Sequence, residues 1–198
     1  MATPKSQRIG IWVIAVVMMV GTLGSFAVMA LSNHNGKIDQ ANQRKQYDAL
    51  QKQQEESGKA AAASSQPLDG YKVKKFDADD VKTLQKKVLK QGDGKKVKKT
   101  DTINVSYFGW LPDGTIFDSS KKTGKNVPID LPLNAVIPGW TEGLSGEKVG
   151  STVQLIIPSD KAYGPQSPPG SIIPANTPLG FTLTINSAKA TEAASEGQ

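Results

Sequence analysis

Few side chains in this sequence could make or break a covalent bond. It has no cysteine and a single histidine, His34. That removes disulfides and thiolate nucleophiles, and leaves a Ser-His or Cys-His mechanism almost no material. A histidine- or cysteine-based metal site is excluded on the same ground, and nothing calls for a cofactor. What the chain offers instead is an ordered set of aromatic and aliphatic residues. Val105-Ser106-Tyr107-Phe108-Gly109 is followed by Gly114-Thr115-Ile116-Phe117-Asp118-Ser119-Ser120. Then come Val136-Ile137-Pro138-Gly139-Trp140, Ala162-Tyr163-Gly164, Ile172-Ile173-Pro174 and Leu179-Gly180-Phe181. With few polar groups among them, these residues suit a small apolar pocket better than a site for charged chemistry.

Taken singly, each of these residues has a plainer role. Trp140 and Phe117 read as core aromatics. Tyr163 beside Gly164 reads as a turn tyrosine. Asp118 before Ser119-Ser120 reads as a turn or cap residue. His34, between an apolar run and a polar segment, reads as a solvated linker residue. Only the order and spacing of the set carry weight.

The elements that must position the set are mostly strands. Leu84, Lys86 and Val88 begin an alternation that stops at the turn Gly92-Asp93-Gly94. Ile103, Val105 and Tyr107 share one face, opposite Thr102, Asn104 and Ser106. Pro112-Asp113-Gly114 is a hairpin turn, since proline presets one backbone angle and glycine tolerates positive φ. Val153, Leu155 and Ile157 alternate with Thr152, Gln154 and Ile156, and Leu179, Phe181, Leu183 and Ile185 with Gly180, Thr182 and Thr184. One short helix is expected from Pro138 to about Leu144, with proline in its first turn, where the missing N–H costs little. The fold class is α+β, an antiparallel β-sheet wrapped around one short α-helix.

The amino-terminal part is different. Ile9 to Leu31 carries no charge. About 22 helical residues rising ~1.5 Å each reach ~33 Å, enough for a hydrocarbon core of ~30 Å. Lys5 and Arg8 lie close before it, so residues 1–8 are expected in the cytoplasm and the rest outside it. A single-pass membrane anchor at 9–31 fits this length better than a cleaved signal, whose apolar region is usually ~7–15 residues. Val28-Met29-Ala30 keeps the cleaved alternative open, and either reading puts the main domain outside the cytoplasm. Residues 32–70 form a polar linker, helical or disordered. Within it a frayed helix passes into an Ala/Ser stretch at Ala60–Ser65 and is closed by Pro67. The main domain spans 71–189, with a disordered tail at 190–198.

The net charge is +6. Lysines from Lys72 to Lys99 crowd the approach to the main domain and read as a solvated strand-and-turn face, with attraction to anionic lipid or an acidic polymer as the alternative. Arginine is scarce and aromatics are not interleaved with the lysines, which argues against nucleic-acid binding.

From about Leu84 to Ala188, the ordered set resembles the FKBP-type peptidyl-prolyl isomerase family. The resemblance implies an enzyme that rotates X-Pro bonds in proline-containing polypeptides, here assisting the folding of exported proteins. It needs no cofactor or metal, and macrolides of the rapamycin kind are a second implied ligand class. Trp140 corresponds to the pocket floor, and Tyr107, Phe117, Val136, Ile137 and Phe181 to its walls. Tyr163 corresponds to a hydroxyl that reaches a ligand carbonyl, and the Ile137 N–H to a second donor. Asp118 corresponds to a rim carboxylate held by Tyr107. The resemblance thus implies catalytic roles for Tyr107, Phe117, Asp118, Trp140, Tyr163 and Phe181. It implies substrate contacts from Val127, Ile129, Val136, Ile137, and the flap residues Ile172 and Ile173.

The match has departures. Val127 and Ile129 stand where the family often has phenylalanines, which makes that wall shallower. Thr123 stands where an arginine often pairs with the aspartate, so Asp118 is expected to be held less firmly. The segment Gln166 to Ser171 is proline-rich and lacks a histidine sometimes found there. These departures keep open a non-catalytic proline-peptide-binding or chaperone module on the same fold. A structural surface protein, with the lysines on envelope polymers, is the third reading.

Overall fold

The structure is a computed structural model and describes residues 38–190. The apolar run Ile9–Leu31, expected to span a membrane, lies outside the described residues, as do the first residues and the tail from 191 on. Among the described residues, no helix is long and apolar enough to cross a membrane.

The chain divides into two units, Met1–Ala49 and Leu50–Gln198. The described part of the first is the opening of helix α1 (Ile38–Ser64), exposed from Gln43 to Ala49. The second unit holds the rest of α1 and the sheet domain. Alanine and glutamine propensity favours α1 throughout. It continues to Ser64, whereas the sequence reading turns it into a linker at Ala60. Tertiary contact explains the difference. Gln54, Gly58, Ala61, Ala62 and Ser65 are partly buried, and their three-to-four-residue spacing marks one face of a helix.

The sheet comprises β1 (Gln85–Lys90), β2 (Asp101–Trp110), β3 (Ile116–Ser119), β6 (Ile129–Pro132), β7 (Thr152–Ile157) and β8 (Leu179–Ala190). A separate ribbon pairs β4 (Lys121–Lys122) with β5 (Lys125–Asn126). The main order is β1-β7-β8-β2-β3, and β6 also pairs with β2. Every pairing is antiparallel. One short helix, α2 (Pro138–Leu144), packs on one face of the sheet against β7. These elements agree with the α+β reading.

Close approach seats α2 on the sheet. A Cβ on Gly139 would lie 2.4 Å from Ile157 Cγ2, and one on Gly143 2.6 Å from Leu155 Cδ2. The two glycines, one turn apart, let the helix backbone rest on β7. Between them and the sheet, Val105, Leu144, Leu155, Leu183 and Ile185 are fully buried.

A second core lies on the other face, unforeseen in the alternation. Phe108 and Trp110 are fully buried there with Leu68, under Tyr71, Val73 and Phe76. The segment from Pro67 to Phe76 is therefore a strap over that second face. It is pinned where Trp110 Nε1–H donates to the Lys74 carbonyl at 2.9 Å. Gly180 faces Trp110 across β2 and β8, and a Cβ there would fall 2.3 Å from Trp110 Cε2. Gly180→Ala is expected to destabilise the domain by about 1–3 kcal/mol, the usual scale of overpacking. Urea unfolding should show a lower midpoint with an unchanged slope.

Candidate active site

Trp140 sits on α2 with its ring turned to the sheet and only 5% of its surface exposed. Pro138 starts this helix without side-chain capping. Two rings meet the indole edge-on. Tyr107, on β2, has its centroid 5.4 Å away at 71°, and Phe181, on β8, lies at 5.2 Å and 90°. Phe117, on β3, continues the cluster at 5.5 Å and 85° from Phe181. Such edge-to-face pairs contribute about 0.5–1.5 kcal/mol each beyond burial, because ring edges are positive and faces negative. Gly109 keeps the space open: a Cβ there would lie 2.4 Å from Phe117 Cζ and 2.7 Å from Phe181 Cε1.

The Trp140 Nε1–H is buried with no acceptor among the described residues. An unmet donor costs roughly 1–3 kcal/mol, so stability alone gives no reason to keep an indole at this position.

Polar groups meet at the edge of the rings. β2 and β3 pair Gly109 with Asp118, which brings the carboxylate diagonally next to Tyr107. The Tyr107 hydroxyl donates a short hydrogen bond to Asp118 Oδ2. The Tyr107 phenol is held well above its ordinary pKa, by burial first, then by the Asp118 charge and hydrogen bond and by Tyr163. Tyr163 follows a 3₁₀ turn (Ser159–Lys161) and is 43% exposed. Its phenol is also raised, by desolvation first and the Asp118 charge second. These three groups therefore lie within electrostatic reach of one another. Among the described residues, neither the Tyr163 hydroxyl nor the Ile137 N–H has a hydrogen-bond partner, so both are free to donate to a ligand.

Asp118 has a cation after all. Lys122 Nζ stands 3.1 Å from Asp118 Oδ1. Thr123, at the arginine position, has a left-handed backbone (φ 49) beside Gly124 in the β4–β5 turn. The strand residue before that turn reaches the carboxylate instead. As both partners are half-exposed, the pair contributes at most ~1 kcal/mol and acts mainly on orientation.

The other sequence candidates divide into two groups. Val136, Ile137 and Ile129 are partly buried against the cluster that contains Trp140 and Phe181, and Ile173 belongs to its buried part. Ile172 is partly buried on the loop before it. Val127 is not gathered in. It is 49% exposed, because its N–H bonds the Ser120 carbonyl and holds the chain at the ribbon rather than over the rings. Lys122 is the functional candidate that sequence reasoning missed; its position four residues after Asp118 was the available signal.

Raised phenol values carry a sign. An unfolded tyrosine releases its proton near pH ~10 and the folded Tyr107 only above that, so stability is intact below ~10 and falls as pH rises further. Tyr107→Phe removes one such group. Urea midpoints followed from neutral to alkaline pH should fall less steeply in this variant than in the wild type.

Comparison with known proteins places this geometry in context. Residues 93–186 match the family model of the FKBP-type peptidyl-prolyl cis-trans isomerase. The chain is 46% identical over 106 residues to the outer membrane protein MIP of Legionella longbeachae, covering 54% of this chain and 44% of that protein. It is 36% identical over 192 residues to the FKBP-type peptidyl-prolyl cis-trans isomerase FkpA of Aeromonas hydrophila, covering 91% of this chain and 67% of that protein. The crystal structure of FkpA from Escherichia coli superposes with a TM-score of 0.50 at 28% identity, covering 96% of this chain and 84% of that one. The chain spans about half the length of some curated relatives it matches, 44% for the Legionella protein and 50% for a Neisseria meningitidis relative. Identity across most of the chain, the matching sheet-and-helix architecture and the family match agree: this chain belongs to the FKBP-type peptidyl-prolyl cis-trans isomerase family.

Proposed function

We propose that this chain catalyses rotation about X-Pro bonds in proline-containing polypeptides. The observation that carries the reading is the indole of Trp140, edged by Tyr107 and Phe181 beside two unused donors. Rotation breaks no covalent bond. The barrier of ~18–20 kcal/mol comes from amide conjugation. Only contacts stronger in the twisted amide than in the planar one raise the rate. Twisting localises the nitrogen lone pair and lowers the negative charge on the carbonyl oxygen. A dry aromatic floor disfavours the more polar planar form. In this reading the prolyl ring rests on Trp140, and the Tyr163 hydroxyl and Ile137 N–H hold the flanking carbonyls. The Asp118 carboxylate, oriented by Tyr107 and Lys122, faces the rotating carbonyl at the rim. Removing ~4 kcal/mol from the barrier corresponds to about a thousandfold.

A protease-coupled proline-peptide assay tests this. Wild-type turnover is expected well above background. Asp118→Ala and Tyr163→Phe are each expected to lower kcat/KM by about tenfold or more, the scale of one hydrogen bond involving a charged or buried group. Wild-type turnover equal to background would sink the proposal.

A second reading, binding without turnover, draws on the 5% exposure of Trp140 and on Val127 facing solvent. Titration of Trp140 fluorescence with proline peptides separates the two, since binding without rate enhancement selects the second. The outward Val127 also leaves a shallow wall for a macrolide, so rapamycin-like ligands are expected to bind weakly.

For location, we infer that Ile9–Leu31 anchors the chain in a membrane and holds the domain outside the cytoplasm, where it assists the folding of exported chains. The charge-free length supports an anchor. Mass measurement of the mature protein should find the amino terminus intact and the protein in the membrane fraction; a terminus beginning just after Ala30 would favour the cleaved signal.

A further inference from the structure

Helix α1 has one glycine, Gly58, in a run otherwise rich in alanine and long polar residues. Glycine inside a helix costs ~1 kcal/mol relative to alanine, so its presence needs a reason. The reason lies across from it. A Cβ on Gly58 would fall 1.9 Å from the Gly170 carbonyl oxygen and 3.3 Å from Ser171 Cα. The helix therefore rests directly on the loop Gln166–Pro174, backbone against backbone. The loop is stiff at this point. Pro169 and Gly170 (φ 71) occupy the centre of a turn closed by Ser171 N–H donating to the Pro168 carbonyl at 3.1 Å.

Beside this contact runs a groove of about 380 Å³, within the size range of ligand sites. One wall is apolar, from Ile172, Ile173 and Pro174, with the hydroxyls of Ser167 and Ser171. The other is the helix, which presents Glu55 and Lys59, one turn apart. Both are exposed, and neither forms an ion pair among the described residues. Ile173 belongs to the same buried cluster as Trp140 and Phe181, so the groove adjoins the packing of the ring residues at that side chain.

We propose that this groove binds the extended, uncharged part of the polypeptide flanking the target proline, so that α1 forms one wall of the substrate site. An extended backbone offers N–H and C=O groups. Glu55 can accept from the first, and Lys59 can donate to the second. Ile172 and Pro174 receive an apolar side chain. Opposite charges side by side suit a small anion or cation poorly, and a charged wall suits a lipid tail poorly. This inference rests on the isomerase reading for its rate measurements, but binding tests it independently.

The experiment compares two peptides. One holds little beyond the X-Pro pair; the other is the same peptide lengthened on both sides. The wild-type chain should turn over the longer one with a lower KM. The double variant Glu55→Ala with Lys59→Ala keeps helix propensity and should raise KM for the long peptide by about tenfold, the scale of one charged hydrogen bond. Its kinetics with the short peptide should not change. Equal effects on both peptides, or no wild-type preference for the longer one, would overturn the groove while leaving the isomerase reading intact. If the wild type turns over neither peptide, the isomerase reading fails and binding decides. Amide NMR shifts over Ser167–Ile173 on adding the long peptide, lost in the double variant, support the groove; their absence in the wild type overturns it.

Discussion

Trp140 meets Tyr107 and Phe181 only because α2 lies against β7 at a distance that side chains larger than glycine would prevent. Gly143 presses on Leu155, and Leu155 is the cross-strand partner of Phe181. Phe181 in turn faces Gly109, which leaves the room that Phe117 and Phe181 fill. The site is thus set by backbone proximity at a few glycines, and the aromatic side chains complete what those approaches allow. Cores packed at crystal-like density transmit such shifts directly. A displacement of α2 would separate the indole from both rings together.

The electrostatics follow from the same geometry. Asp118 is placed by the β2–β3 pairing next to a buried phenol, and its short bond to Tyr107 fixes one oxygen. Lys122 takes the other from the start of a ribbon whose tip is held by the end of α1. Thr123 N–H donates to the Ser64 carbonyl at 3.1 Å, and Gln66 N–H to the Lys121 carbonyl at 2.9 Å. The orientation of the rim carboxylate thus depends on the helix that precedes the domain.

Much of this was legible in the sequence. Period-two alternation marks one face of β2, β7 and β8, and Pro138 marks the start of α2, whereas burial of the second face of β2 at Phe108 and Trp110 goes unmarked. The strap from Pro67 to Phe76 was not legible. Leu68, Tyr71, Val73 and Phe76 follow no helical or strand period, and their burial comes from the far side of the sheet. Nor does local pattern show where α1 ends, since it is contact with the domain that extends it through Ala60–Ser64. The ring residues were identified by order and spacing, and the structure gathers them. Val127 escapes because its position depends on a hydrogen bond in the ribbon, which sequence period does not encode. Lys122 escapes because attention falls on the arginine position, one residue later, which the turn directs elsewhere.

The lysines find a structural place that does not call for a partner. β1, with three of them, is an edge strand exposed along its whole length beside β7. Charge on an unpaired edge opposes sheet-to-sheet association between copies. The aromatic floor is protected differently. With 5% of Trp140 exposed, little water rests on the indole before a ligand arrives. On the proposed isomerase reading, a site already dry needs little desolvation when a prolyl ring settles on it, and the binding energy can go to distinguishing the twisted amide from the planar one. On that reading the charged edge discourages strand pairing, while the closed rings admit a chain at its proline.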